Sequence, residues 1–336
     1  MRGSGILRFA LWRTLGLVVV LIALTFVVFV LRSVIPIDPA RVAAGPNAPA
    51  AQVEAFRVRL GLDKPILVQY EHYLGDLAHG NLGTSPITHN PVRTDIGQFL
   101  PASVELIAYA LVLALGLALI LALGQTLLPH SAWLRVLLVG GASAPIFLTG
   151  LLALYFLWYK LHWFPNGGRT NISDAPTGST RFLTIDGLVA GRPGVTINAL
   201  WHIFLPALCL AIPPGVAIGR QLRSALHNVL REDYARTARS KGLTEAQVVR
   251  RHGLRNAASA ALSMTGLQIG MLFATILIVE PIFSWPGLGL YTVQALGQSD
   301  LTAVLGVAVI FGAAYVIINA LIDVGQVLLD PRITLD

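Results

Sequence analysis

Leu106-Ile-Ala-Tyr-Ala-Leu-Val-Leu-Ala-Leu-Gly-Leu-Ala-Leu-Ile-Leu-Ala-Leu-Gly124 contains no charged side chain. A helix needs about 20 mostly apolar residues to cross the hydrocarbon core of a bilayer, and within that core only helices and closed barrels satisfy their own backbone groups. The alternation of a barrel strand is missing, so the run reads as a spanning helix. The same test applied outward from it finds six candidate spans, at roughly 12 to 32, 103 to 127, 136 to 159, 200 to 219, 260 to 280 and 302 to 328. Pro206, Pro213 and Pro214 interrupt the fourth. It reads as a kinked helix, because neighbours inside a membrane protein re-satisfy the freed carbonyls. Composition agrees: 55% of the 336 residues are hydrophobic and 12% are charged, about half the charge of a soluble domain. The expected fold is an all-α integral membrane protein with six transmembrane helices.

Charge then sets the topology. The net charge of +7 would suggest nucleic-acid binding in a soluble chain; here it is read as membrane orientation, with no nucleic-acid partner. Arg220, Arg223, Arg231, Arg236, Arg239, Lys241, Arg250, Arg251 and Arg255 crowd one inter-span segment. Together with Arg2, Arg8 and Arg13 they mark the cytoplasmic side, and six spans then put both termini there. The expected organisation is a cytoplasmic N-terminus and first span over 1–32, a large extracytoplasmic loop over 33–102, a five-span core over 103–329 with a cytoplasmic loop at 220–258, and a cytoplasmic tail over 330–336. The apolar run Leu15 to Leu31 exceeds a signal-peptide core and no small-x-small cleavage site follows it, so it reads as a retained span. In the first outer loop Ala51 to Leu60 is expected to be a short helix stopped by Gly61, with a turn at Asp63 to Pro65; the 160–199 loop reads as irregular.

The cytoplasmic loop has its own local logic. Asp233-Tyr-Ala-Arg-Thr-Ala-Arg-Ser-Lys-Gly242 is rich in helix formers and ends in cations before a glycine, as a helix C-terminus prefers. Thr244 with Gln247 makes a capping box for a second helix. Tyr234, Ala238 and Lys241 share a face by spacing, and the small Ala238 and Gly242 leave room for another protein to approach. A helix-Gly-helix of this kind suits either a rigid lever seated in a partner's groove or a basic anchor on anionic lipid.

That passage, with Arg255-Asn-Ala257, resembles the coupling segment of binding-protein-dependent ABC importer permeases of the dipeptide/oligopeptide (and nickel) branch. The family's Glu-Ala-Ala followed by Gly falls here on Arg236, Thr237, Ala238 and Gly242, a replacement common in the peptide branch. Pro36-Ile-Asp-Pro-Ala40, Leu60-Gly-Leu-Asp-Lys-Pro65, Gly80-Asn-Leu-Gly-Thr-Ser85, Leu100-Pro-Ala-Ser-Val-Glu-Leu106, Phe283-Ser-Trp-Pro-Gly-Leu-Gly289 and Leu329-Asp-Pro-Arg332 are similar to further family motifs in the same order. The long first outer loop is similar to that of the first of the two permeases such systems encode. The resemblance implies a type I ABC importer permease in the bacterial inner membrane, paired with a second homologous permease, two ABC ATPase subunits and an extracytoplasmic substrate-binding protein. ATP and Mg would be bound by the ATPases, with no cofactor in this chain. Tyr234, Arg236, Thr237, Ala238, Lys241, Gly242, Leu243, Arg255 and Asn256 would then form the ATPase-coupling contact. The cargo implied is a dipeptide or oligopeptide, with haem, glutathione or nickel chelates as alternatives.

Ionisable groups at membrane depth are candidates for a substrate pathway, and Glu105, Glu280 and Asp323 are those present. Glu105 and Glu280 lie near the outer ends of spans, where a structural role competes; Asp323 is deeper and suits a partner contact, a gate or cargo. The chain has no Gly-x-x-x-x-Gly-Lys-Ser/Thr loop, so it is not expected to be an enzyme. No histidine pair has metal-ligand spacing on one helix, and Cys209 stands alone in an apolar stretch as a core residue. An ion-coupled secondary transporter is the competing class. It calls for midplane carboxylates and has no need of an elaborate loop.

Overall fold

The computed structural model describes residues 15–16, 18–30, 38–45, 47–59, 61–128, 131–133, 136, 143–176, 178 and 180–329. Among these the regular structure is helical, apart from one isolated bridge between Thr84 and Pro91. The helices are α1 (Val18–Val30), α2 (Pro39–Ala44), α3 (Ala50–Arg59), α4 (Ile66–Ala78) and α5 (Val92–Leu127). They continue with α6 (Ile146–Lys160), α7 (Leu183–Val189), α8 (Pro193–Val229) and α9 (Asp233–Ser240). The last are α10 (Glu245–Ile282), α11 (Leu288–Gly297) and α12 (Leu301–Leu329). By length and composition α5, α8, α10 and α12 as far as Ile322 are sufficient to cross a membrane. The expected first and third spans both include residues outside the described ones.

Several boundaries differ from the sequence reading for identifiable reasons. α5 begins at Val92, ahead of its apolar run, because Asp95 can occupy a first helical turn outside the hydrocarbon. α8 opens with Pro193 at its first turn and runs on through Pro206, Pro213 and Pro214. Proline has no N–H, so these three release the carbonyls of His202, Cys209 and Leu210 from the helix ladder without ending the helix. α4, α7 and α11 lie in stretches read as loop; α7 and α11 are short, and the first turn of each is held by a carboxylate from another helix. The last seven residues of α6 and Val249–Gly253 of α10 are wound as π-helix, a looser turn that no local motif announces.

The chain divides into two compact units that interleave in sequence. Among the described residues the first comprises those up to Leu100 with Tyr291–Val316. In it Tyr70 of α4 donates to the Ile22 carbonyl at 3.0 Å and meets Phe26 of α1 edge to face and Phe29 at a tilt. Asp38 caps α2 through the Ala40 N–H and receives Arg57 of α3 at 2.6 Å. Asp95 is buried and accepts from Thr88, Asn90 and Tyr291, while Ser85 donates to the buried Asp300. Burial, and then the negative charge of Asp95, push the Tyr291 hydroxyl above its ordinary range.

Among the described residues the second unit comprises Pro101–Leu290 with α12 from Ile317 onward. Its helices meet at small residues, as close packing without a hydrophobic driving force requires. A side chain at Gly215 would come within 3.0 Å of the Ala114 carbonyl, and one at Gly219 within 3.3 Å of the Ala118 Cα, so α8 lies directly on α5. Gly266 does the same for α10 against Asn319 and Ile322 of α12. Gly215, Gly219 and Gly266 therefore serve packing inside this chain. Many apolar side chains on the long helices remain open, including Val112 at 67% exposure and Leu321 at 65%. Apolar surface on that scale fits lipid or a second membrane subunit rather than water.

Candidate functional site

Two features of the second unit stand out: the helix–glycine–helix segment between α8 and α10, called the lever below, and two buried carboxylates, Glu105 within α5 and Glu280 near the end of α10. The lever begins where α8 ends at Leu230. α9 follows, and Gly242 turns the chain in the left-handed region at φ +84°. Thr244 and Gln247 form the capping box that starts α10, with the Thr244 N–H donating to Gln247 Oε1 at 2.9 Å. One face of α9 is buried: Ala235 and Ala238 pack with Leu226, Leu230, Val248, Val249 and Ala257, and Leu243 covers the edge. Ala238 thus spends its small size on the lever's own core. Its neighbours Tyr234, Arg236, Thr237, Lys241 and Gly242 are exposed, as are Arg255 and Asn256 on α10.

The same stretch brings three expected residues together. Asn256 donates to the Tyr234 hydroxyl at 3.3 Å and to the His252 carbonyl at 2.9 Å, joining α9 to the first turns of α10 with Arg255 alongside. Arg236 faces Asp233 at 3.7 Å, and Thr237 donates to the Asp233 carbonyl. Arg239 makes a two-pronged contact with Glu245, at 2.8 Å from Nε and 2.7 Å from Nη2. Those bonds hold the guanidinium pKa above its ordinary value. Around Gly242 nothing lies within 4 Å of where a Cβ would stand, so its φ is the constraint this chain itself places on that position.

Glu280 is completely buried near the end of α10. Ser103 donates to one of its oxygens at 2.6 Å, and the N–H groups of Gly289 and Leu290 donate to the other at 2.6 and 3.1 Å. Those are orphan donors of the first turn of α11, so Glu280 supplies that helix with an acceptor at its N-terminal end. Ser103 in turn accepts from the Leu288 N–H at 2.7 Å, and the Trp285 indole donates to the Ala102 carbonyl at 2.9 Å. Gly287 and Gly289 are required: a Cβ at Gly287 would collide with the Glu280 carboxylate, and one at Gly289 would sit 2.5 Å from the Ile276 carbonyl. Gly289→Ala is expected to destabilise the fold by about 1–3 kcal/mol through overpacking, read as a lower thermal midpoint of the detergent-purified protein.

Glu105 repeats the arrangement from α5. It is 3% exposed and accepts from the Thr184 N–H at 2.9 Å and the Thr184 hydroxyl at 2.6 Å, in the first turn of α7. Its second oxygen receives Arg169 at 2.6 Å, whose guanidinium lies 5.9 Å from the Trp285 ring centroid. Each carboxylate closes a short helix that the sequence reads as loop. Asp323 lies on α12, and its side chain is outside the described residues.

Comparison with known proteins covers the same stretch of chain. A family model described as "binding-protein-dependent transport system inner membrane component" matches residues 94–335, and the corresponding N-terminal model of that system's membrane component matches 6–105. This chain is a binding-protein-dependent transport system inner membrane component. A probable D,D-dipeptide transport system permease protein of Escherichia coli (strain K12) is 39% identical over 333 residues, covering 98% of this chain and 97% of the relative. A dipeptide transport system permease protein of Alkalihalophilus pseudofirmus is 34% identical, with 97% and 99% covered. A glutathione transport system permease protein of Pectobacterium atrosepticum is 32% identical, again with 97% and 99% covered.

The permease is therefore a multi-pass transport subunit of the inner membrane. An open cavity of about 550 Å³ lies at the end of α6 against the start of α8, walled by Trp158, Trp163, Phe164, Asn198, Trp201 and His202. Its rings are those expected of an interfacial belt. Among the described residues no cluster of three or more His, Cys, Asp or Glu is placed to hold a metal ion. The residues that sequence reasoning missed are Arg239, Glu245, Ser103 and Arg169. For the first two a signal existed, an opposite-charge pair straddling a helix stop. Ser103 and Arg169 act on partners far away in sequence and had none.

Proposed function

We propose that this permease imports peptides, forming half of a translocation pathway and receiving work from cytoplasmic ATPases through the lever. The single observation that carries the reading is the lever's two-sided build. Its inner face is packed onto α8 and α10, which are long enough to span the membrane, while Tyr234, Arg236, Thr237, Lys241 and Gly242 stand exposed on the other side. A segment packed so firmly into the spans, yet open on one edge, transmits a push from a partner into the membrane helices. Peptide cargo is supported by the dipeptide permeases among the relatives, and the glutathione permease fits the same reading because glutathione is itself a tripeptide.

The assembly carries one further permease, two ATPase subunits that bind ATP and Mg, and an extracytoplasmic substrate-binding protein. The permease has six spans and both termini in the cytoplasm, and residues 33–102 lie outside. Positive charge at Arg220–Arg255 supports that orientation. Glu105 and Glu280 are structural in this reading, since their oxygens are engaged within the chain. The test is purification of the tagged permease from its native membranes in mild detergent, with mass spectrometry of what accompanies it. Recovery of a second permease and ABC ATPases is the expected result. A chain that purifies alone and still transports after reconstitution without ATP contradicts it.

A further inference from the structure

The Arg239 contact is unusual for an exposed ion pair, because one guanidinium spans three elements. Its Nη1 donates to the carbonyl of Leu230, the residue capping the end of α8, at 3.0 Å, and its Nε and Nη2 grip Glu245, the first residue of α10, at 2.8 and 2.7 Å. Arg239 itself belongs to the last turn of α9. A planar fork donating in fixed directions sets orientation as well as distance, which a lysine cannot reproduce. It closes over the two bends of the lever, the turn at Arg231–Glu232 and the left-handed Gly242. Those bends are where α9 would otherwise pivot against α8 and α10. The side chains are 36% and 48% exposed, and surface pairs contribute little to stability, so the value of this one lies in geometry.

We propose that Arg239 and Glu245 form a positioning clasp that locks α9 to both flanking helices, so that displacement of α9 reaches the membrane spans instead of being absorbed at its hinges. The inference rests on the reading of α9 as the contact with the ATPases. Neither residue need touch the partner; each acts through the angle at which Tyr234 to Gly242 are presented.

The test uses the complete transporter in proteoliposomes and reads peptide transported per ATP hydrolysed, alongside the amount of assembled complex. Arg239→Gln and Glu245→Gln are expected to assemble normally and to lower transport per ATP by about fivefold or more, the lower end of typical coupling energies. Arg239→Lys should fall between, and the reversed pair Arg239→Glu with Glu245→Arg should recover part of the loss. A merely structural contact would lower the yield of complex and leave the ratio intact. Normal ratios in both glutamine variants, at any yield, overturn the clasp. Failure of the wild-type permease to bring down any ATPase overturns instead the underlying reading of the lever.

Discussion

Replacement of Gly242 by tryptophan is expected to leave the permease folded in the membrane and to strip it of its ATPase subunits, with transport falling by tenfold or more. The argument separates two contributions. At φ +84° any L side chain is strained, by about 1–2 kcal/mol for residues other than Gly, Asn and Asp. Nothing in this chain lies within 4 Å of the position, so a bulky side chain meets no internal obstacle. Gly242→Asn tolerates the left-handed backbone and should keep most activity. Gly242→Ala carries strain alone and should lose a few-fold, in keeping with that cost. Gly242→Trp adds a volume that collides only if a partner surface lies there. Co-purification of ATPase subunits across the three variants reads the difference, and equal retention in the alanine and tryptophan variants would mean that no partner approaches Gly242.

Glu280→Ala is expected to have the largest effect on stability. The substitution leaves the Gly289 and Leu290 N–H groups and the Ser103 hydroxyl without their acceptor in a fully buried site. Each orphaned donor costs about 1–3 kcal/mol, so the sum is on the order of 3 kcal/mol or more. Glu280→Gln retains an acceptor oxygen for α11, and Ser103 can turn to accept from the new amide, so its effect should be much smaller. Thermal unfolding of the purified complex is the measurement. A carboxylate that handled cargo would behave oppositely, with alanine and glutamine both abolishing transport at unchanged stability.

The parts of this molecule that were legible in the sequence are those whose cause is local. The helix ending before Gly242 and the Thr244–Gln247 capping box follow from residue types within a few positions, and both stand as expected. The helix expected at Ala51 to Leu60 is Ala50–Arg59, followed by a left-handed Gly61. The continuity of α8 through its prolines also agrees. What escaped was set by distant partners. Phe283 to Gly289 stands out as a family motif, but its reason, glycines making room for a carboxylate that caps α11, needs Glu280 and Ser103 in place. Ala238 reads as a clearance for another protein because it shares a face with Tyr234 by spacing; it is buried because α9 rolls that flank onto α8 and α10. The three carboxylates illustrate the limit. Membrane depth marks Glu105 and Glu280 as candidates, while their hydrogen bonds to short helices, invisible in a linear pattern, supply the structural account.

The central claim is that this permease moves peptides with energy from ATP delivered through α9. The most direct measurement is release of a labelled dipeptide from proteoliposomes that contain the assembled transporter with its ATPases facing the bath, so that ATP is added outside and the binding protein and dipeptide are enclosed. The account predicts that dipeptide leaves the lumen only when Mg-ATP and the binding protein are both present, and that Gly242→Trp abolishes the movement. Equal movement by the permease alone, driven by an ion gradient without ATP, would contradict it.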